Sequence, residues 1–210
     1  KASGLLDQMA CAVGGMITID FKNPQEPVVE KIDYDFGAQD YSLIIVQTGK
    51  GHADLSEEYS SIPQEMKKVA AVFGKEVLAE VSEEEVLADV KRVMKEAGDR
   101  PLLRALHFFE ENKRVEAEVA ALKENRFNNF LGLITESGNS SWKWLQNCYV
   151  GGSAEQGITA ALALTELFIK EKGRGACRVH GGGFSWVIMA MLPNGLVEEY
   201  TAYIEKAMGE

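Results

Sequence analysis

Three stretches of this chain carry residue types that can do chemistry. Ser3-Gly-Leu-Leu-Asp-Gln8 puts a carboxylate, Asp7, among apolar neighbours at the start of a helical pattern. An acid in the first turn of a helix most often only complements the helix dipole. The same dipole keeps the carboxylate ionised, and such a group can orient or deprotonate a sugar hydroxyl. Gly175-Ala-Cys-Arg-Val-His-Gly-Gly-Gly-Phe184 places Gly181, Gly182 and Gly183 between two strand-like runs. A plain hairpin manages with two turn residues, and three glycines add backbone entropy cost. Two readings fit: a loop that needs positive φ, or backbone that a ligand approaches closely, as at phosphate sites. The third stretch is Thr48-Gly-Lys-Gly-His-Ala-Asp54, followed by Glu58-Tyr59. Gly49-Lys50 is no Walker loop, because no Ser or Thr follows the lysine and the preceding glycine is missing. His52, Asp54 and Glu58 lack the spacing of a helical ligand pair, so a solvated helix entrance is expected and no metal site.

Elements must hold these stretches in place. Ser3 can cap a short helix over Leu5, Leu6, Met9, Ala10 and Val13, stopped by Gly14-Gly15. Met16 to Phe21 reads as a strand, with a return strand over Val28 to Tyr34 after the Asn23-Pro24 turn. Tyr41 to Thr48 is the clearest buried strand, apolar from Leu43 through Val46. Helices follow. Tyr59, Ile62, Met66, Val69, Ala70 and Phe73 form one apolar stripe. Ser82-Glu-Glu-Glu85 is a capping box for a helix carrying Val86, Val90, Val93 and Met94. Asp99-Arg-Pro101 opens a long helix to about Leu122, and Phe127 to Leu133 opens another. A further helix carries Ile158, Ala161, Leu162, Thr165, Phe168 and Ile169, ended by Gly173. The tail reads strand (Ala176–Val179), glycine loop, strand (Trp186–Leu192) and a last helix with Val197, Tyr200, Ile204 and Met208 inward. Strands at both ends with helices between them imply an α+β fold, an antiparallel sheet with helices on one face.

The bulk numbers narrow the classes. A chain of 210 residues buries roughly 70% of its unfolded surface and needs no staples. A net charge of −10 argues against a nucleic-acid partner, which needs clustered Lys and Arg. It leaves ATP open, because phosphate sites are local and often made of backbone N–H groups. Cys11, Cys148 and Cys177 form no C-x-x-C pair and read as buried free thiols of a reducing, cytoplasmic compartment. No apolar run approaches a membrane span, so no membrane partner is expected. Lys1-Ala2-Ser3-Gly4 is not a Met start, so the chain is expected to open inside a longer polypeptide.

In order along the chain, the motifs resemble those of galactokinases, ATP-dependent sugar 1-kinases of the GHMP superfamily. Asp7-Gln8 matches the family's Gly-x-x-Asp-Gln motif, and His52 to Tyr59 its His-(x)n-Glu-Tyr stretch. Arg104-Ala-Leu-His107 with Glu110 is similar to an Arg-Ala-x-His helix, and Glu136-Ser137 to a Glu-Ser pair ending the next helix. Gly175 to Phe184 is similar to the third GHMP motif. After Phe184 the sequence departs from the family's small residues and reads Ser185-Trp186.

The resemblance covers essentially the whole chain and implies a GHMP kinase C-terminal domain over residues 37–210, preceded by a remnant of the N-terminal, ATP- and sugar-binding domain over residues 1–36. It implies transfer of the γ-phosphoryl group of ATP, with Mg²⁺, to the C1 hydroxyl of galactose. Galacturonate, arabinose and N-acetylgalactosamine are alternative sugars, and a non-catalytic sensor on the same scaffold is the alternative class. By resemblance Asp7 is the catalytic carboxylate at the sugar 1-hydroxyl, Tyr59 contacts the sugar, and Gly181, Gly182 and Gly183 lie beside the reacting phosphate. Arg104, His107 and Glu136 take supporting roles. The family's Gly-Glu-His segment with its catalytic Arg and its Ser-rich phosphate loop have no counterpart in this sequence. The chain alone is therefore expected to be inactive, to bind ATP poorly or not at all, with neither ATP nor Mg²⁺ expected bound to it, and to self-associate through apolar surface on the first helix and Met16–Phe21.

Overall fold

Apolar runs become strands and apolar stripes become helices in the computed structural model, which describes residues 6–23, 25–49, 55–184 and 187–209. Helix α1 (Leu6–Val13) leads through Gly14 and Gly15, both at positive φ, into an antiparallel hairpin of β1 (Met16–Asp20) and β2 (Val28–Ile32). The proposed cap, Ser3, lies outside the described residues. Strand β3 (Tyr41–Gln47) follows, then helices α2 (Ser56–Val72), α3 (Glu83–Ala88), α4 (Val90–Glu96), α5 (Asp99–Lys123) and α6 (Phe127–Ser140). A π-helical turn, Ser141–Leu145, extends α6. Helix α7 (Gly157–Lys172), strands β4 (Ala176–Val179) and β5 (Val187–Pro193), and helix α8 (Val197–Met208) complete the order.

The class is the expected α+β, with an antiparallel sheet in the order β3-β5-β4, but helices lie on both of its faces and not on the one face expected, because β5 carries apolar side chains on both sides. Ile44 pairs with Ala190, and Cys177 pairs with the same residue from the other side. Period-2 alternation along β5 sends its side chains to opposite faces. Ile188, Ala190 and Leu192 join Val46, Cys177 and Val179 against Ile158, Leu162 and Phe168 of α7 and Tyr200 and Ile204 of α8. Those two helices cover this face across all three strands. The hydroxyls of Thr165 and Tyr200 meet at 2.8 Å inside that core. Met191 and Ala176 point to the other face, where α6 supplies Phe127, Phe130, Leu131 and Ile134, and Ile32 of the hairpin joins them. Helix α6 sits close enough that a Cβ on Gly138 would lie 3.0 Å from the Cys177 carbonyl oxygen and 2.8 Å from Arg178 Cβ. It covers β4 and part of β5 but leaves Leu43 and Ile45 of β3 exposed.

A third core joins α2, α3, α4 and α5 through Val69, Val86, Val93 and Ala105. The capping box forms as read: Glu85 N–H donates to Ser82 Oγ and Ser82 N–H donates to the Glu85 carboxylate. The single helix expected over Val86 to Met94 is broken at Asp89 into α3 and α4. No described helix is long and apolar enough to cross a membrane.

Candidate functional site

The glycine loop and Tyr59 meet. Gly181 and Gly183 both take positive φ, as does Phe184 behind them. That is the conformation for which glycine carries no Cβ penalty. Tyr59, in the first turn of α2, donates its hydroxyl to the Gly183 carbonyl oxygen at 2.6 Å. Its ring stands edge-on to Phe184, 5.4 Å between centroids. A Cβ on Gly182 would press on Tyr59 Cε1 at 3.1 Å. Sequence separation of 124 residues is thus closed by one hydrogen bond and one aromatic contact.

Asn147 supports the loop from beneath, and nothing in the sequence reading singled it out. Its side-chain amide donates to the Gly182 carbonyl at 3.1 Å, and its backbone carbonyl accepts from Phe184 N–H at 2.8 Å. Any Cβ on Gly183 would fall 2.2 Å from that carbonyl oxygen, so only glycine fits. The available signal was an amide between Gln146 and Cys148 after a Trp-rich segment, which no rule of spacing marks as special. Gly181 and Gly182 stay exposed. Among the described residues the N–H groups of Gly181, Gly182 and Gly183 have no hydrogen-bond partner. Successive free N–H groups in such a turn make a concavity suited to an anion.

One buried cation aligns the two sides. Arg104 of α5 is 2% exposed. It donates to Ser61 Oγ (2.9 Å) and Glu65 (3.0 Å) on the helix that bears Tyr59, and to the Leu145 carbonyl (3.0 Å), two residues before Asn147. Arg100 adds a bidentate contact to Glu65 at 2.5 and 3.0 Å. Burial alone would raise the Glu65 pKa. The Arg100 hydrogen bond and the charges of Arg104 and Arg100 outweigh it and hold the carboxyl below its usual range. Further along α5, buried His107 shares a hydrogen bond with Ser140 at 2.9 Å. Burial pushes its pKa down to about 4, against the pull of Glu111. Ser137 of α6 bonds to Glu111 and accepts from Arg178 of β4 at 2.5 Å, tying the strand that feeds the glycine loop. Glu118 is raised to about 7 by burial and by the charge of Glu111.

Asp7 is placed differently. It lies exposed on α1, which buries none of its residues and rests on β1. It has no hydrogen-bond or ion-pair partner among the described residues. The hairpin behind it packs at Ala121 and Leu122, near the C-terminal end of α5. Helical rise puts that end about 27 Å from Arg104. Glu136 is exposed as well. His52 and Asp54, like Ser185 and Trp186, lie outside the described residues. Among the described residues no group of three His, Cys, Asp or Glu side chains could hold a metal ion.

Comparison with known proteins decides the relationship. No family model matches the chain. It is 26% identical over 209 residues to a galactokinase of Streptomyces coelicolor, covering 97% of this chain and 50% of that protein. Identity to a Thermotoga neapolitana galactokinase is 27% over 204 residues, covering 97% and 53%. A Haemophilus influenzae galactokinase is 32% identical over 162 residues, covering 76% and 39%. The fold matches a crystal structure of Lactococcus lactis galactokinase complexed with galactose. The TM-score is 0.71 at 22% identity, over 100% of this chain and 53% of that one. The chain is a relative of the galactokinases and corresponds to their C-terminal portion. It spans about half the length, or less, of the curated relatives it matches. Three of the residues behind the galactokinase resemblance prove to be interior ones: Arg104, His107 and Ser137 are all buried. They hold α2, α5, α6 and β4 in the arrangement that joins Tyr59 to the glycine loop.

Proposed function

We propose that this chain forms the C-terminal part of a sugar kinase that transfers the γ-phosphoryl group of ATP to the C1 hydroxyl of galactose. The observation that carries this reading is the contact between Tyr59 and Gly182–Gly183, held from below by Asn147. It sets an amphipathic side chain beside exposed backbone donors. Tyr59 would present its ring edge to the sugar while its hydroxyl stays on Gly183. The N–H groups of Gly181 and Gly182 would meet a phosphate oxygen of ATP. Mg²⁺ would neutralise charge on the transferring group. The described residues offer the phosphate donors and no metal ligand set, so they fit the nucleotide's phosphates and not its metal. Asp7 is assigned the orienting carboxylate, on a helix that would have to be carried to the loop by residues 1–36 and the polypeptide they belong with.

Phosphoryl transfer needs donors around the whole triphosphate, a metal, and a cation near the developing charge. This chain supplies one loop, so no turnover is expected from it alone. A coupled ADP-release assay with galactose tests this, run beside galacturonate, arabinose and N-acetylgalactosamine. Turnover that vanishes in Asp7→Ala would show a more complete active site than proposed. In a longer protein containing this chain, galactose-dependent ADP release lost in that variant is the expected result. Release with none of the four sugars would contradict the reading.

A further inference from the structure

We infer that the outer edge of β3 is an interaction surface for a second copy of this chain. Strand β3 pairs with β5 on one side, and among the described residues no strand pairs with the other. The edge runs seven residues, Tyr41–Gln47, and presents a row of unpaired backbone groups. Natural edges are blunted by lysine, proline or a bulge. Tyr-Ser-Leu-Ile-Ile-Val-Gln has no charge and no proline, and its register against β5 is unbroken from Tyr41 to Gln47.

The side chains add a second, independent reason. Ile44 and Val46 face the core under α7 and α8, so Leu43 and Ile45 face the other way. Helix α6 stops short of them, leaving Leu43 56% and Ile45 49% exposed. The strand is self-complementary about its midpoint. If two copies pair antiparallel with Ile44 opposite Ile44, then Leu43 of each faces Ile45 of the other. Four exposed apolar side chains then close on one another on one face of a six-stranded sheet. Charge selects this contact over others. The chain carries −10 overall, so most faces of two copies repel, and an uncharged strand is where they approach at least cost. The exposed apolar residues of α1, Leu6 and Val13, offer no comparable backbone pairing.

Sedimentation velocity of the 210-residue chain from low to high micromolar concentration tests the inference. A concentration-dependent dimer is expected. In the double variant Leu43→Lys, Ile45→Lys, like charges oppose across the seam, and association should weaken at least about tenfold. Its circular dichroism should be unchanged, since both residues are exposed. Leu6→Lys and Leu167→Lys, each at an exposed helical site, should dimerise like the parent. Amide hydrogen exchange on the unmodified chain gives a reading that needs no variant: protection over Tyr41–Gln47 should rise with concentration. A monomer at every concentration overturns the inference. So does a dimer that survives the double lysine variant, or one that Leu6→Lys dissolves, which would place the contact on α1. A monomer whose Tyr41–Gln47 amides gain protection only within a longer polypeptide also overturns it, because the seat then belongs to another strand of the same chain.

Discussion

Two regions proposed to serve one site are held in opposite ways. At the glycine loop the approaches are fixed by polar contacts: Tyr59 on Gly183, Asn147 on Gly182 and Phe184, and Arg104 on both supporting segments. At α1, Asp7 stands on a helix that buries none of its residues and rests on β1. Binding groups that are locked before a ligand arrives lose little freedom when it does. The loop end is preorganised in this sense.

Breaking the buried cation should show the largest difference between the regions. Arg104→Met removes three hydrogen bonds and leaves Glu65 paired with Arg100 alone. Loss of one partner from a buried ion pair costs about 3–5 kcal/mol. Urea unfolding should show a loss of that size, and amide exchange at Gly182 to Phe184 should speed up with it. The glycines come next and can be read against each other. Gly183→Ala meets Asn147 at 2.2 Å and sits at φ +78, so both overpacking and backbone strain apply. A loss of about 3 kcal/mol is expected. Gly181→Ala keeps a φ of +65 but has open space around it, and should cost about 1 kcal/mol from strain alone.

Much of this architecture was legible because apolar patterning dictates it. The runs at Leu43–Val46 and Ala176–Val179 announced strands, though the first is an edge strand with Leu43 and Ile45 exposed and not the buried strand expected; Ser82-Glu85 announced a helix start, and Gly173 an end. The Asp89 break was not legible, because Val86, Val90, Val93 and Met94 keep a helical spacing straight across it. The length of α6 was legible only through the resemblance, which ended this helix at Glu136-Ser137. Its residues Glu136-Ser-Gly-Asn-Ser140 are polar or small, and they are helical because Ser137 and Gly138 pack against Arg178 and Cys177. Asn147 was invisible for a related reason: a buried amide that satisfies a distant loop leaves no periodic trace. The convergence of Tyr59 with the glycines came from family resemblance, since no local pattern links positions so far apart.

Helix α5 spans both regions, and two of its displaced titrations sharpen the contrast. His107 is held at about 4 against an ordinary 6.5, so the unfolded chain binds more protons in between. Its contribution is complete above pH 6.5 and is lost as pH falls toward 4. Glu118 is held at about 7 against 4.5, so there the folded chain binds more protons. Stability from Glu118 falls as pH rises from 4.5 to 7. The two slopes oppose each other, each worth at most roughly 3 kcal/mol. Glu118→Gln should leave stability climbing with pH between 5 and 6.5, and His107→Asn should leave it falling. Parallel pH series of urea midpoints check both signs. The smallest effect belongs to α1: Asp7→Ala should change stability by less than about 0.5 kcal/mol, as at a surface position without partners.

The most direct test is an NMR titration of the chain with ¹⁵N-glycine and ¹³C-tyrosine labels, using galactose and ADP at millimolar concentration. Glycines report on both ends of the sheet, because Gly132, Gly173 and Gly175 line an open groove of about 970 Å³ on the far side from the loop. The account predicts that Gly181, Gly182 and Tyr59 shift together, that Gly132, Gly173 and Gly175 stay still, and that Tyr59→Ala abolishes the loop response to galactose. Shifts confined to the far groove, or none at the loop at saturating ligand, would contradict it.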